Sequence, residues 1–322
     1  MQRRSLLALP FLATAARAQE VFPSRPMRFV VPFAAGGNTD AMARLYGAFI
    51  SRRLGQPVVV ENRTGAAGAI GTEAVVRSRP DGYTMLLGSP GSIINGPLLT
   101  AQPRFDPLAD LTPVAMLGQV PLVIITRPAL PIRTLAELVR YSREHPQGVS
   151  IGTSGIGGAH HLPLELFKAA TGANLVHVPF RGGGATLPDF LAGNLDGTLI
   201  ELSTVVDLHK DGRGRILGVA SPARSPLLPE IPTFIEQGFP GFLAASFVAL
   251  FAPAGTPEGV LATVQRVMAE ATQDPEVKAR MRGFGADLAT PEELTTPGMQ
   301  AFLRSEREKA QRAIGIAGLK PE

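Results

Sequence analysis

Residues 27–40 read MRFVVPFAAGGNTD, and this passage decides the fold class. Its first half, 27–33, is a short apolar run rich in β-branched and aromatic residues, closed by Pro and Gly. Such a run predicts a buried strand. Ala34-Ala35-Gly36-Gly37 makes a loop, Asn38-Thr39-Asp40 can cap a helix, and 41–54 has helical spacing. The same unit recurs downstream. A strand over 58–60 leads through the Gly-rich stretch 65–71 into a helix over 72–78. The turn Pro80-Asp81-Gly82 leads to a strand over 83–87, which runs into Gly88-Ser89-Pro90-Gly91-Ser92 and a short helix. Repeated strand–loop–helix units build a parallel sheet covered on both faces.

The pattern then restarts. Strands are expected over 122–126, 149–153, 174–180, 195–202 and 215–220, with helices over 134–144 (Thr134 as cap), 159–171, 185–192 and 203–209. After Gly238-Phe239-Pro240-Gly241 comes an apolar run, 246–251, then a helix over 258–272 and an amphipathic helical stretch over 274–317. The reading is an α/β protein of two lobes, each with a mostly parallel sheet flanked by helices, joined by two long apolar strands near 120–127 and 246–252. Lobe 1 takes 19–123 plus 246–322 and lobe 2 takes 124–245. Two sequential domains are the alternative, which leaves the C-terminal helices without a sheet of their own. No short-period repeat or low-complexity tract is present.

The 322 residues suffice for two domains, and 45% apolar content excludes wholesale disorder. Gly 35 and Pro 29 together indicate many tight loops. Zero Cys removes disulfide scaffolds, Cys-based zinc sites and thiol nucleophiles. Residues 1–18 have the layout of a cleaved export signal: Arg3-Arg4, an apolar stretch from Ser5 to Thr14, and Ala16-Arg17-Ala18 as an A-x-A site. The Arg pair leaves both the general secretory and twin-arginine routes open. Without the three arginines of this segment the net charge of +4 falls almost to neutrality, so no basic face for nucleic acid is implied.

Four loops share one design, a buried strand followed by Gly, Ser or Thr and a helix start: 34–40, 88–92, 153–158 and 181–185. Ligands of open α/β sheets bind beyond the carboxyl ends of the strands, where helix N-termini and Gly-rich backbone present N–H groups to anions. Plain βα turns would need the same glycines. The catalytic motifs fail: 152–156 lacks the last Gly of a G-x-S-x-G turn, no Gly loop carries a phosphate-loop Lys, and none fits G-x-G-x-x-G. His160 and His161 are adjacent, so on a helix they point about 100° apart and cannot chelate one metal together. His177 reads as a satisfied core or cleft residue. Asp40 is either a first-turn acid at a helix start or a contact for ligand.

These residues resemble the extracytoplasmic solute receptors of the tripartite tricarboxylate transporter family, often called Bug receptors. The resemblance runs through FPSRP (22–26), VVPFAAGGNTDAMAR, LGQPVVVENRTGAAGAIG, PDGYTMLLGSPGS, GTSGIGGAHHL, HVPFRGGGATLPDFLAGNLDG and LFAPAGTP. It implies a periplasmic binding protein of the Venus-flytrap type, working as a monomer, whose lobes close on a small carboxylate and deliver it to a membrane permease. It implies no cofactor, no metal and no catalysis. Carried over residue by residue, it points to Phe33, Ala35, Gly36, Gly37, Asp40, Ser89, Gly91 and Ser92 on the first lobe. On the second it points to Thr153, Gly155, Gly158, Arg181, Gly182, Gly183 and Ala185. Two positions depart from the pattern. Glu201, near Thr204, stands where relatives usually carry Asn, and Phe247 where many carry Trp. Both positions are expected near the distal half of the pocket. An ionised Glu201 facing the ligand would repel a second carboxylate and favour a hydroxyl, amide or amino group; turned outward it would do neither. The strand pair near 124–126 and 246–249 is expected to be the hinge. An exported enzyme on the same scaffold, built from Asp40, His161 and Glu201, and a receptor for a membrane sensor are the rival readings.

Overall fold

The computed structural model describes residues 22–321, so the expected export signal lies outside the described residues. Ten strands form one mixed sheet of order β2-β1-β3-β9-β4-β7-β5-β6, with β8 and β10 also pairing with β4. The strands are β1 (Met27–Val31), β2 (Val58–Asn62), β3 (Thr84–Gly88), β4 (Leu111–Thr126), β5 (Val149–Thr153), β6 (Leu175–Pro179), β7 (Gly197–Glu201), β8 (Arg215–Val219), β9 (Ala245–Pro253) and β10 (Asp287–Leu288). The larger helices are α1 (Asn38–Leu54), α2 (Ala69–Val76), α5 (Leu135–Glu144), α6 (His161–Thr171), α7 (Leu187–Ala192), α8 (Leu202–Lys210), α9 (Glu258–Ala271), α10 (Pro275–Gly283) and α11 (Thr296–Ala317). The short turns α3 (Gly96–Leu98) and α4 (Pro107–Asp110) separate β3 from β4.

β4 organises the molecule. Its first part, up to Pro121, pairs antiparallel with β9, and its last part, Leu122 onward, pairs antiparallel with β7 and β8. The sheet thus has two halves on one continuous strand. In the first half β1 is parallel to β2 and β3; in the second β5 is parallel to β6 and β7. The expected strand over 122–126 is only the end of β4. Pro113, Gly118 and Pro121 conceal the rest, because Pro breaks the pattern of a central strand. Register shifts between Pro113 and Ala115 and between Met116 and Gly118 accommodate the first two, and Pro121 sits where β4 changes partner. The chain crosses between halves at Pro121/Leu122 and again at Ala244/Ala245. There Leu122 N–H donates to Ala244 O, Ala244 N–H to Ala220 O, and Ala220 N–H to Leu122 O. The partner exchange lies just outside the segments 124–126 and 246–249 expected as the hinge.

The helices start and stop where local chemistry dictates. α1 ends on Gly55 in the left-handed conformation, with Arg52 and Arg53 in its last turn. α5 opens on Thr134, whose hydroxyl accepts from Glu137 N–H while the Glu137 carboxylate takes Arg133 N–H, a variant of the capping box. The stretch 274–317, expected to be helical throughout, is broken. After α10 the chain turns at Gly285, adds β10 to β4, and restarts α11 behind the Thr295 cap. α2 runs over 69–76 instead of 72–78, and α6 begins at His161, leaving 159–160 in the loop. α11 packs against α6, so the C-terminal helix touches a helix that flanks the second half of the sheet.

Candidate ligand site between the two halves

The carboxyl ends of β1 and β3 in the first half, and of β5, β6 and β7 in the second, aim their loops at one space. A cavity of about 20 Å3 lies there. Phe33, Ala34, Gly37, Asn38, Thr39 and Ser89 line it from the first half. Ser154, Ala159, His160, Gly183 and Glu201 line it from the second. No lysine or arginine is among these lining residues. Donors are nonetheless plentiful. Gly37 caps α1 without any side-chain cap, so the first-turn N–H groups at Asn38 and Thr39 have no intrahelical acceptor. Asn38 is 3% exposed; its Oδ1 accepts from Ser203 Oγ across the halves at 3.0 Å, and its Nδ2 is buried without a hydrogen-bond partner.

The halves meet through backbone. A Cβ on Gly184 would stand 2.8 Å from Gly37 N, and one on Gly182 3.0 Å from Ala34 N. A Cβ on Gly91 would stand 3.0 Å from Gly158 Cα and Ala159 N, and one on Gly157 3.1 Å from Gly96 Cα. Ala34 N–H donates to Arg181 O across the same seam at 3.2 Å. Gly91, Gly158 and Gly182 therefore act in the closed approach itself. The Arg181 side chain is exposed and does not line the cavity.

Several expected ligand groups are engaged inside their own loops. Asp40 accepts from Gly36 N–H (3.0 Å), from two nitrogens of Arg44 (3.0 and 2.9 Å) and from Asn62 Nδ2 (3.1 Å), while Asn62 also donates to Phe33 O. Burial alone would raise the Asp40 carboxyl, but Arg44, Gly36 N–H and Asn62 outweigh it and hold it below the ordinary value. Asp40 braces the loop and is absent from the cavity wall, and Ala35 is exposed. In the next loop Ser92 Oγ accepts from Ser89 N–H; Gly91 and Ser92 line a separate cavity of about 380 Å3 beside Ala67 and Ile70. In the second half Thr153 Oγ1 accepts from Gly155 N–H and lies 2.6 Å from His177 Nε2. Gly157 N–H donates to His161 Nδ1, Gly158 N–H to Gly155 O, and Ala185 N–H to Gly182 O. These amides shape the loops and are not available as donors to a ligand.

Glu201 ends β7 at the mouth of α8. It is 6% exposed and lines the cavity, with Oε1 3.0 Å from His160 Nε2; His160 is 1% exposed. Burial would raise this carboxyl, but His160 foremost, then Ser246, outweigh it and lower it from the ordinary value. Gly183 makes the pair possible, since a Cβ there would fall 2.8 Å from His160 Cε1 and 3.3 Å from Glu201 Oε2. Thr204 Oγ1 is buried without a partner and is not among the lining groups. Phe247 is 1% exposed and packs in the core edge-on to Phe302, with ring centroids 5.3 Å apart, instead of flanking Glu201.

Ala34, Asn38, Thr39, Ser154, Ala159 and His160 line the wall without having been among the expected site residues. The pairing of His160 with Glu201 is tertiary and has no local signature, whereas Asn38 was already marked as a helix start. His161, Glu165 and His177 each bring one ligating atom within 4.8 Å of the others. Those groups are already in use: His161 stacks on His177, His161 Nδ1 accepts from Gly157 N–H, and Lys168 holds Glu165. The three groups named for an enzyme, Asp40, His161 and Glu201, are engaged with separate partners.

The family model of the tripartite tricarboxylate transporter family receptor matches residues 42–319. The chain is 36% identical over 315 residues to Protein BugT of Bordetella pertussis, covering 96% of each. Among solved structures it is similar to the periplasmic binding protein BugD (TM-score 0.88, 33% identity, covering 94% of this chain and 100% of that one). It is likewise similar to R. palustris Rpa4515 with adipate (TM-score 0.89, 32%, covering 94% and 100%). MatC from Rhodopseudomonas palustris, with bound malate, gives a TM-score of 0.87 at 30% identity, covering 91% and 100%.

Proposed function

Because the chain belongs to the tripartite tricarboxylate transporter receptor family, a family of periplasmic solute-binding proteins, we propose that it captures a small carboxylate between its two halves and delivers it to a membrane permease of the same transport class. The protein is exported to the periplasm and performs no covalent chemistry. Its lobes are 19–123 with 246–322, and 124–245. The ligand favours the closed arrangement because only there do both lobes touch it.

One observation carries this reading: a cavity beyond the strand ends is walled from both halves, with the α1 N-terminus and Asn38 Nδ2 as donors to an anion. Adipate and malate in two similar structures support a carboxylate as the ligand class. No helix among the described residues is long and apolar enough to cross a membrane.

The test is a thermal-shift and calorimetric screen of the mature protein against aliphatic, hydroxy, amino and aromatic acids. A true ligand at a hundred times its Kd adds about 2.7 kcal/mol of stability and raises the Tm. Recovery of the acid unchanged supports a receptor. No binding by any acid, or turnover of a bound one, overturns the reading.

A further inference from the structure

We propose that the ligand carries a single carboxylate and, beside Glu201, a hydrogen-bond donor such as an ammonium or hydroxyl group, and that Glu201 excludes acids with a second carboxylate at that end. The inference rests on the receptor reading and narrows its substrate class.

The cavity has two chemically opposite walls. On the first half stand the α1 N-terminus at Asn38 and Thr39 and the buried, unpartnered Asn38 Nδ2. These are donors, suited to one carboxylate. On the second half stands the Glu201 carboxylate, an acceptor only when ionised. His160 Nε2 lies 3.0 Å from Oε1, and Oε2 lies beside Gly183, with both residues in the cavity wall. The low position of this carboxyl in spite of its burial agrees with a charged acceptor.

A diacid would place its second charge beside Glu201, in a wall whose one basic side chain, His160, already faces the Glu201 carboxylate and where no lysine or arginine lines the cavity. Bringing like charges together in a buried site is costly, whereas an ammonium or hydroxyl there gains a charge-assisted hydrogen bond.

The experiment titrates the mature protein calorimetrically with length-matched probes: alanine and lactate against malonate, 4-aminobutyrate and 4-hydroxybutyrate against succinate, 5-aminopentanoate against glutarate. Supporting results are a donor-bearing monoacid binding at least about tenfold tighter than its matched diacid, and Glu201→Gln cutting that preference at least about tenfold by strengthening diacid binding. Gln keeps the size and an acceptor oxygen, and the wild-type ranking needs no variant at all. Diacids that bind wild type as well as or better than the matched monoacids overturn this inference alone, as does a preference unchanged in Glu201→Gln. Failure of every carboxylate in this panel and in the wider screen overturns the receptor reading and this inference with it.

Discussion

At the scale of single residues, the buried charges divide into those that brace loops and the one that faces the cavity. Asp40 belongs to the first kind, with both oxygens occupied by Gly36, Arg44 and Asn62. Replacing it by Ala strands the Gly36 N–H and should destabilise the protein by about 1–3 kcal/mol in urea unfolding. His177 gives a pH signature. Burial first, then the charges of His161 and Lys168, lower its pKa from 6.5 to about 4. Between those values the unfolded chain holds the extra proton, so acid favours unfolding. Stability is full above about 6.5 and is lost as the pH falls toward 4. On the order of 1 kcal/mol should vanish between pH 7 and pH 5, solvent screening the partly exposed ring, and His177→Gln should flatten that slope in denaturant titrations at each pH. At this scale the sequence reveals where polar residues cluster but not where they point. Asp40 and Glu201 read alike as acids beside Gly-rich loops, and only tertiary partners, Arg44 and Asn62 for one and His160 for the other, separate their roles.

At the scale of elements, the glycine loops serve two purposes that sequence alone cannot distinguish. Gly36 and Gly155 have positive φ, so their glycine is needed by the loop itself. Gly184 has no such conformation, and what an added methyl would meet is Gly37 N, 2.8 Å away on the opposite half. Gly184→Ala should leave the stability of the ligand-free protein within about 0.5 kcal/mol of wild type. It should also cost about 1–3 kcal/mol of overpacking on closure, a loss of about five- to a hundredfold in affinity by calorimetry. Equal loss of stability and affinity would assign Gly184 to its own lobe instead of the seam. The strand–loop–helix units were legible because buried strands and helix caps carry local signals, and β1, β3, β5 and β6 lie where periodicity put them. β4 was not, because its length depends on a bulge beside Pro113 and on a change of partner at Pro121 that let both prolines remain in a central strand.

At the scale of the whole molecule, two crossings at Pro121/Leu122 and Ala244/Ala245 connect the halves of the sheet, and the apolar runs that carry them stand out in the sequence. The exact crossing was not legible there, since it is fixed by the bonds among Leu122, Ala244 and Ala220. If the lobes rotate about these crossings, a bound carboxylate should reduce the radius of gyration in small-angle scattering, and Gly184→Ala should diminish that reduction. The seam of bare backbone has one more consequence. Two faces without side chains have almost nothing greasy to hide from solvent when they touch, so they make a weak clasp. At these loops the guest must supply the adhesion that keeps the jaws shut, so a downstream carrier that loosens its grip on the guest frees this edge, while the apolar contact of α6 with α11 stays behind as the tether.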